Sequence, residues 1–260
     1  FENKPFPVII TEYAANGTLS RIIDLERQSL SGNIWTKTKK LINIYGIASG
    51  MSYLHANKII HRDLKPDNIL MDDMLFPKIS DFGLSKRLHS DKSMTVESRF
   101  GFKGTPRYAA PELFANKEQT EASDVYAFAL IVYEILTAKI PYEEDEMLQL
   151  IMKVANGVRP PFDVPIDEPY QNLIERCWSQ DPKDRPTFAQ IVEELENDES
   201  FITKSIKHDD FLNYVKFIND YKKCFNDKKI IKLDDFIHNK ASNTFKRIDI
   251  RRYIEEQQDQ

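Results

Sequence analysis

The 260-residue chain is poor in cysteine, holding only Cys177 and Cys224. Two thiols in a chain of this size exclude a disulfide framework and suit a reducing compartment. Long hydrophobic runs are missing too. The most apolar stretch, Val125 to Leu136, is too short for a bilayer and closes near Glu134. No secretory leader pattern opens the sequence. These absences predict a soluble intracellular protein, in the cytoplasm, although sequence upstream of Phe1 could carry a targeting segment or a membrane span. Positive charge is not in excess: 36 Lys and Arg face 41 Asp and Glu, a net charge of −5. That removes the electrostatic case for nucleic acid and predicts that Lys37, Lys39 and Lys40 form a solvated face. Glycine is scarce at eight residues, and no G-x-G-x-x-G phosphate-cradling loop occurs. With 41% hydrophobic residues, the chain can still bury one sizeable core and a small appendage.

What is present reads as a mixture of short strands and longer helices. Val8 to Glu12 is apolar and β-branched, which predicts a strand. Asn16-Gly17 breaks it, and Thr18 caps a short helix through Ile22 and Ile23. From Thr36 to His55, the residues Leu41, Ile44, Ala48, Met51 and Leu54, with Tyr45, recur at three- and four-residue spacing as one helix face. Ile59-Ile60, Ile69 to Met71 and Lys78 to Ser80 read as small strands. Asp124 to Leu136 is apolar around nearly its whole circumference, as a helix buried in the middle of a lobe would be. Thr187 with Gln190 makes a capping box for a helix through Ile191, Val192 and Leu195. Beyond Asn197 the chain is charged with scattered aromatics. Phe211, Val215 and Ile218, with Tyr214 and Tyr221, predict an amphipathic helix that docks on the lobe itself in preference to a partner.

The chemistry lies in three stretches taken in order. His61-Arg62-Asp63-Leu64-Lys65-Pro66-Asp67-Asn68 comes first, then Asp81-Phe82-Gly83, then Ala110-Pro111-Glu112. A single triplet arises by chance, whereas the ordered set does not. On these residues the chain resembles the protein-kinase family. Cys177-Trp178 and Asp181-Pro182-Lys183-Asp184-Arg185-Pro186-Thr187 resemble the tyrosine-kinase-like group most, whose members mostly phosphorylate serine and threonine. The match opens at Phe6-Pro7-Val8-Ile9-Ile10-Thr11-Glu12-Tyr13 and fades after about Asn197. The resemblance implies an α+β, protein-kinase-like fold, mainly the helical C-terminal lobe with the hinge strand of the N-terminal lobe. Residues 1–197 would form this kinase domain, and 198–260 a partly helical extension of unassigned role. The family's glycine-rich loop, third-strand lysine and partnering helical glutamate have no counterpart. Since the sequence starts at Phe1, a clipped or incomplete form of a longer protein is expected; the rival is a natural product that has lost most of its nucleotide lid.

The resemblance also implies ATP and Mg²⁺ and assigns roles. Asp63 would be the base that accepts the substrate hydroxyl proton, and Lys65 the cation facing the transferring phosphoryl. Asn68 and Asp81 would supply oxygen ligands to Mg²⁺. Thr11 fits the gatekeeper position, Glu12 and Ala14 the hinge that meets the adenine edge, and Leu70 the pocket floor. Asp124 would hold the backbone of the catalytic loop; a plain helix N-cap is compatible with the same residue, and the two roles can coexist. Arg185 would pair with Glu112 to anchor the substrate platform. Thr105 could bond to Asp63 and Lys65, and Lys65 itself fits the serine/threonine pattern. Arg62 could pair with a phosphate placed on Ser90, Ser93, Thr95 or Ser98.

The leading expectation is therefore a protein serine/threonine kinase acting on protein hydroxyls, with no nucleic acid and no membrane among its partners. A catalytically inactive kinase-like scaffold is the alternative, and a small-molecule phosphotransferase the third reading. The Thr105 to Glu112 platform favours a protein substrate. Without the phosphate-clamping lid, the chain alone should transfer phosphate poorly and expose apolar surface prone to aggregation.

Overall fold

The computed structural model describes residues 13–82, 85–87, 104–115, 117–226, 248–250, 252 and 254. The expected strand at Val8 to Glu12 lies outside them, as do Thr11 and Glu12. Helix α1, Leu19–Arg27, starts where Thr18 accepts a hydrogen bond from the Arg21 N–H. Helix α2, Lys37–Ala56, is capped in the same way by Thr36.

Two short antiparallel ladders follow α2. Strand β1, Ile59–Ile60, pairs with β4, Lys86–Arg87; β2, Ile69–Met71, pairs with β3, Pro77–Ile79. A 3₁₀ turn, Pro66–Asn68, leads directly into β2. The β3 strand sits one residue earlier than its sequence pattern suggests, so Ser80 leaves the ladder and donates through its N–H and hydroxyl to the Asn68 carbonyl at 2.9 and 3.0 Å.

The rest of the lobe is helical: α3, Pro111–Phe114; α4, Glu121–Thr137; α5, Met147–Ala155; α6, Glu168–Cys177; α7, Phe188–Asn197; and α8, His208–Asn226. Helix α4 is buried at every residue from Ser123 to Ile135, which its all-round apolar sequence requires. It begins at Glu121, with Thr120 and Ser123 forming the capping box. Asp124 therefore stands one turn inside the helix, and the N-cap reading of this residue is wrong: Thr120 already serves that end.

Helix α8 packs on α2. Phe211 and Tyr214 are buried in the same core as the rest of the lobe and set their rings edge-on to Tyr45. Gly46 on α2 makes this approach possible, since a Cβ there would lie 2.5 Å from the Tyr214 hydroxyl. The lysines expected to form a solvated face do not. Lys40 is buried and paired with Glu26 at 2.6 Å, while Lys39 donates to the Met74 carbonyl and lies over the Phe76 ring. Burial lowers the Lys39 ammonium to about 8 against the raising influence of Asp72 and Asp210. Only Lys37 remains largely exposed. Among the described residues, no helix is long and apolar enough to cross a membrane.

Candidate active site

Asp63 sits between β1 and the 3₁₀ turn, surrounded by donors. Thr105 donates its N–H and hydroxyl to Asp63 Oδ1 at 2.9 and 2.8 Å. Asn68 Nδ2 donates to Oδ2 at 3.0 Å and to the Asp63 carbonyl at 2.8 Å. Lys65 Nζ lies 3.0 Å from Oδ2 and also donates to the Thr105 hydroxyl at 2.7 Å. Burial works to raise the Asp63 carboxyl. The bonds from Thr105 and Lys65, the Lys65 charge and the Asn68 bond together outweigh it, holding the group below its ordinary value. Asp63 is thus an anion at neutral pH with a fixed orientation.

The loop carrying Asp63 is held from beneath by α4. The Asp124 carboxylate accepts the His61 N–H at 2.8 Å and the Arg62 N–H at 3.0 Å, and it contacts His55 Nε2 at 2.9 Å. These bonds stabilise Arg62 at φ 75°, a left-handed conformation that a residue with a long side chain seldom adopts. His61 Nε2 bonds to the Ser80 carbonyl at 2.9 Å, linking the loop to the residue before Asp81. Asp81 is also left-handed, at φ 59°. The sequence assigns no task to the His55 or Ser80 side chain, and His61 enters it only as a member of its motif. Their bonds join segments distant along the chain, and only the His61 triplet itself gave a local signal.

The Thr105 segment approaches closely because of Gly104. Its φ is +123°, and a Cβ there would stand 2.7 Å from the Arg62 carbonyl oxygen. Beyond it, Tyr108 donates its hydroxyl to Glu134 of α4 at 2.6 Å. Burial raises the Glu134 carboxyl to about 7, although Tyr108, Arg27 and Arg107 pull it down. Glu112, the second residue of α3, meets Arg185 in a two-pronged pair, with both N–O distances 2.8 Å and both side chains buried. Ser123 donates to Glu112 Oε1 at 3.0 Å, and Arg185 donates onward to the carbonyls of Ala122 and Ser179. No charge in this cluster lacks a partner, which suits a device for fixing geometry.

The β2–β3 hairpin brings the remaining candidates to one end. Asn68 immediately precedes β2, and Asp81 follows β3 by one intervening residue. Both amide hydrogens of Asn68 are committed to Asp63, so the carboxamide oxygen is what Asn68 can offer a cation. That oxygen and the Asp81 carboxylate are hard donors suited to Mg²⁺. Leu70 is half-buried on β2, and Ala14 stands before the turn in which its carbonyl accepts the Gly17 N–H at 3.5 Å. Arg62 is half-buried, and its Nε has no hydrogen-bond partner among the described residues. Thr11, Glu12, Gly83 and the hydroxyls Ser90, Ser93, Thr95 and Ser98 lie outside the described residues.

The family model described as protein tyrosine and serine/threonine kinase matches residues 1–195. A probable serine/threonine-protein kinase, drkC of Dictyostelium discoideum, is 39% identical over 199 residues, covering 75% of this chain and 25% of that protein. The human ankyrin repeat and protein kinase domain-containing protein 1 is 37% identical over 199 residues, covering 72% and 25%. The dual specificity protein kinase pyk3 of Dictyostelium discoideum is 37% identical over 210 residues, covering 80% and 14%. The chain thus spans a quarter or less of the length of these relatives.

Proposed function

The chain belongs to the protein tyrosine and serine/threonine kinase family, and on that premise we propose that it transfers the γ-phosphoryl group of ATP to serine and threonine hydroxyls of protein substrates. The observation that carries this reading is the Lys65–Thr105–Asp63 chain of hydrogen bonds, which joins the base, the cation and the substrate platform. A scaffold without catalysis has no need of that chain.

Asp63 accepts the proton of the attacking hydroxyl, its carboxylate aimed by Thr105 and Asn68. Lys65 places a positive charge where negative charge develops on the transferring group. Asn68 and Asp81 would hold Mg²⁺, which when bound neutralises phosphate charge. Thr11, Glu12, Ala14 and Leu70 are proposed to line the adenine site. Glu112, Arg185 and Asp124 act as positioning residues. Residues 1–197 are read as the catalytic unit and 198–260 as an extension of it. The preference for serine and threonine rests on Lys65, and the small number of cysteines supports an intracellular setting. The Arg62 Nε, which has no hydrogen-bond partner among the described residues, supports docking of a phosphate carried by the 83–104 segment.

The test is phosphoamino-acid analysis of a degenerate peptide pool incubated with the full-length protein, Mg²⁺ and labelled ATP. Phosphoserine and phosphothreonine are expected. Phosphotyrosine alone would overturn the substrate class, and no transfer under any condition would overturn the enzymatic reading.

A further inference from the structure

Ile248–Ile250 lies against the segment that leads into α1, more than two hundred residues earlier in the chain. Asn16, which is 1% exposed, makes the link. Its carboxamide nitrogen donates to the Ile248 carbonyl at 2.9 Å and to the Asp72 carbonyl at 2.7 Å. Its oxygen accepts the Ile250 N–H at 3.0 Å. The Ile248 N–H in turn donates to the Asp73 carbonyl. Ile250 is fully buried, and Ile248 and Ile254 pack against the same core. A side-chain amide carries the donor and acceptor of a peptide group, so Asn16 takes the place of a neighbouring strand for the returning segment.

These bonds converge on the closed end of the β2–β3 hairpin. Asp72 and Asp73 open the connection between its strands, residues 72–76, with the Asp72 carboxylate accepting the N–H groups of Met74 and Phe76. The Asn16 N–H donates to the Met71 carbonyl at 3.1 Å, the Met71 N–H donates to the Gly17 carbonyl at 2.8 Å, and Thr18 pairs with Leu70. The other end of this hairpin carries Asn68 and Asp81. A three-residue ladder is too short to hold its own register, so what grips its turn also sets where its open end sits.

We infer that Asn16 is a positioning residue for the nucleotide and cation end of the site, and that Ile248–Ile250 is the strap it fastens across the hairpin turn. The C-terminal extension is thereby a working part of the site. This inference rests on the proposed roles of Asn68, Leu70 and Asp81. A tail held only by burial of Ile250 would leave the three Asn16 hydrogen bonds without consequence for the hairpin.

The test compares the full-length protein with Asn16→Ala and Asn16→Asp. The aspartate keeps the acceptor for Ile250 and loses both donors. Amide exchange is read at Met71, Ile250, α2 and α4, and Mg²⁺-dependent ATP binding is read by titration calorimetry. In Asn16→Ala, Met71 should exchange about tenfold faster and ATP should bind several-fold more weakly, with α2 and α4 unchanged; Asn16→Asp, which sets a buried carboxylate against the Ile248 and Asp72 carbonyls, should be affected at least as strongly. Faster exchange at Ile250 alone would overturn the inference, as would loss of protection throughout α2 and α4, which would make Asn16 an ordinary core residue. If the unaltered protein bound no ATP, the kinase reading would fail, while the Met71 amide would still decide whether the strap holds the hairpin.

Discussion

Asn68 gives both of its amide hydrogens to Asp63, one to the backbone carbonyl at 2.8 Å and one to the carboxylate at 3.0 Å. One side chain therefore orients the proposed base and leaves its own oxygen as the atom it can offer a cation. The family pattern spaces these residues five apart because the 3₁₀ turn between them folds Asn68 back over Asp63.

Replacing Asn68 with aspartate should separate the two duties. A carboxylate still offers oxygen to Mg²⁺, but it sets a second negative charge against Asp63 and removes both donors. Phosphoryl transfer by the full-length protein should fall by about 10²-fold or more, and the Asp63 carboxyl should titrate higher. Steady-state kinetics and carbon-detected NMR titration check both, and an unchanged Asp63 titration would count against the geometry.

Glu134 predicts a pH dependence opposite to that of Asp63. Its carboxyl is raised from the ordinary 4.5 to about 7, so the folded chain keeps a proton that the unfolded chain releases between those values. Its contribution to stability is fully present below about pH 4.5 and is lost as the pH rises through 7. Asp63, depressed by Thr105 and Lys65 against the effect of burial, contributes stability above its ordinary value and loses it as the pH falls. Glu134→Gln keeps an acceptor for Tyr108 and should be more stable than the unaltered chain at pH 8. Urea unfolding at pH 5 and pH 8 checks this; equal slopes with pH would contradict it.

Arg185→Ala leaves the buried Glu112 carboxylate with Ser123 as its remaining side-chain partner among the described residues. The expected cost is about 3–5 kcal/mol in urea unfolding, the usual result of removing one member of a buried ion pair. The double change Arg185→Met with Glu112→Leu should recover much of it, because no charge is then buried unpaired.

Gly104→Ala should act on turnover more than on folding. The added Cβ meets the Arg62 carbonyl, a backbone atom, at 2.7 Å and also strains a φ of +123°. Displacing Thr105 by even a fraction of an ångström loosens Asp63, and a misplacement of about 1 Å can cost ~10²-fold in rate. The substrate KM, the turnover number and the unfolding midpoint should be measured together.

The sequence disclosed the family, the ordered catalytic stretches and most helices. Apolar periodicity and caps such as Thr18, Thr36 and Thr187 act within one turn of the residues they serve. It did not disclose what depends on distant approach. The solvated-lysine reading failed because α8 and the Asp72 turn return over α2, covering Lys39. The N-cap reading of Asp124 failed because Thr120 starts α4 a turn earlier. His55, Ser80 and Asn16 look ordinary in sequence, and their partners lie 69, 19 and up to 234 residues away.

Asp63 is the residue on which the proposed phosphoryl transfer depends most. Asp63→Asn changes one oxygen to an amide and preserves size, so the fold should survive. Single-turnover transfer from Mg²⁺-ATP to a peptide substrate should be measured for the full-length protein with and without this change. A fall of about 10²–10⁴-fold is expected, with folding and ATP affinity retained. Transfer at an unchanged rate would contradict the assignment of Asp63 as the base.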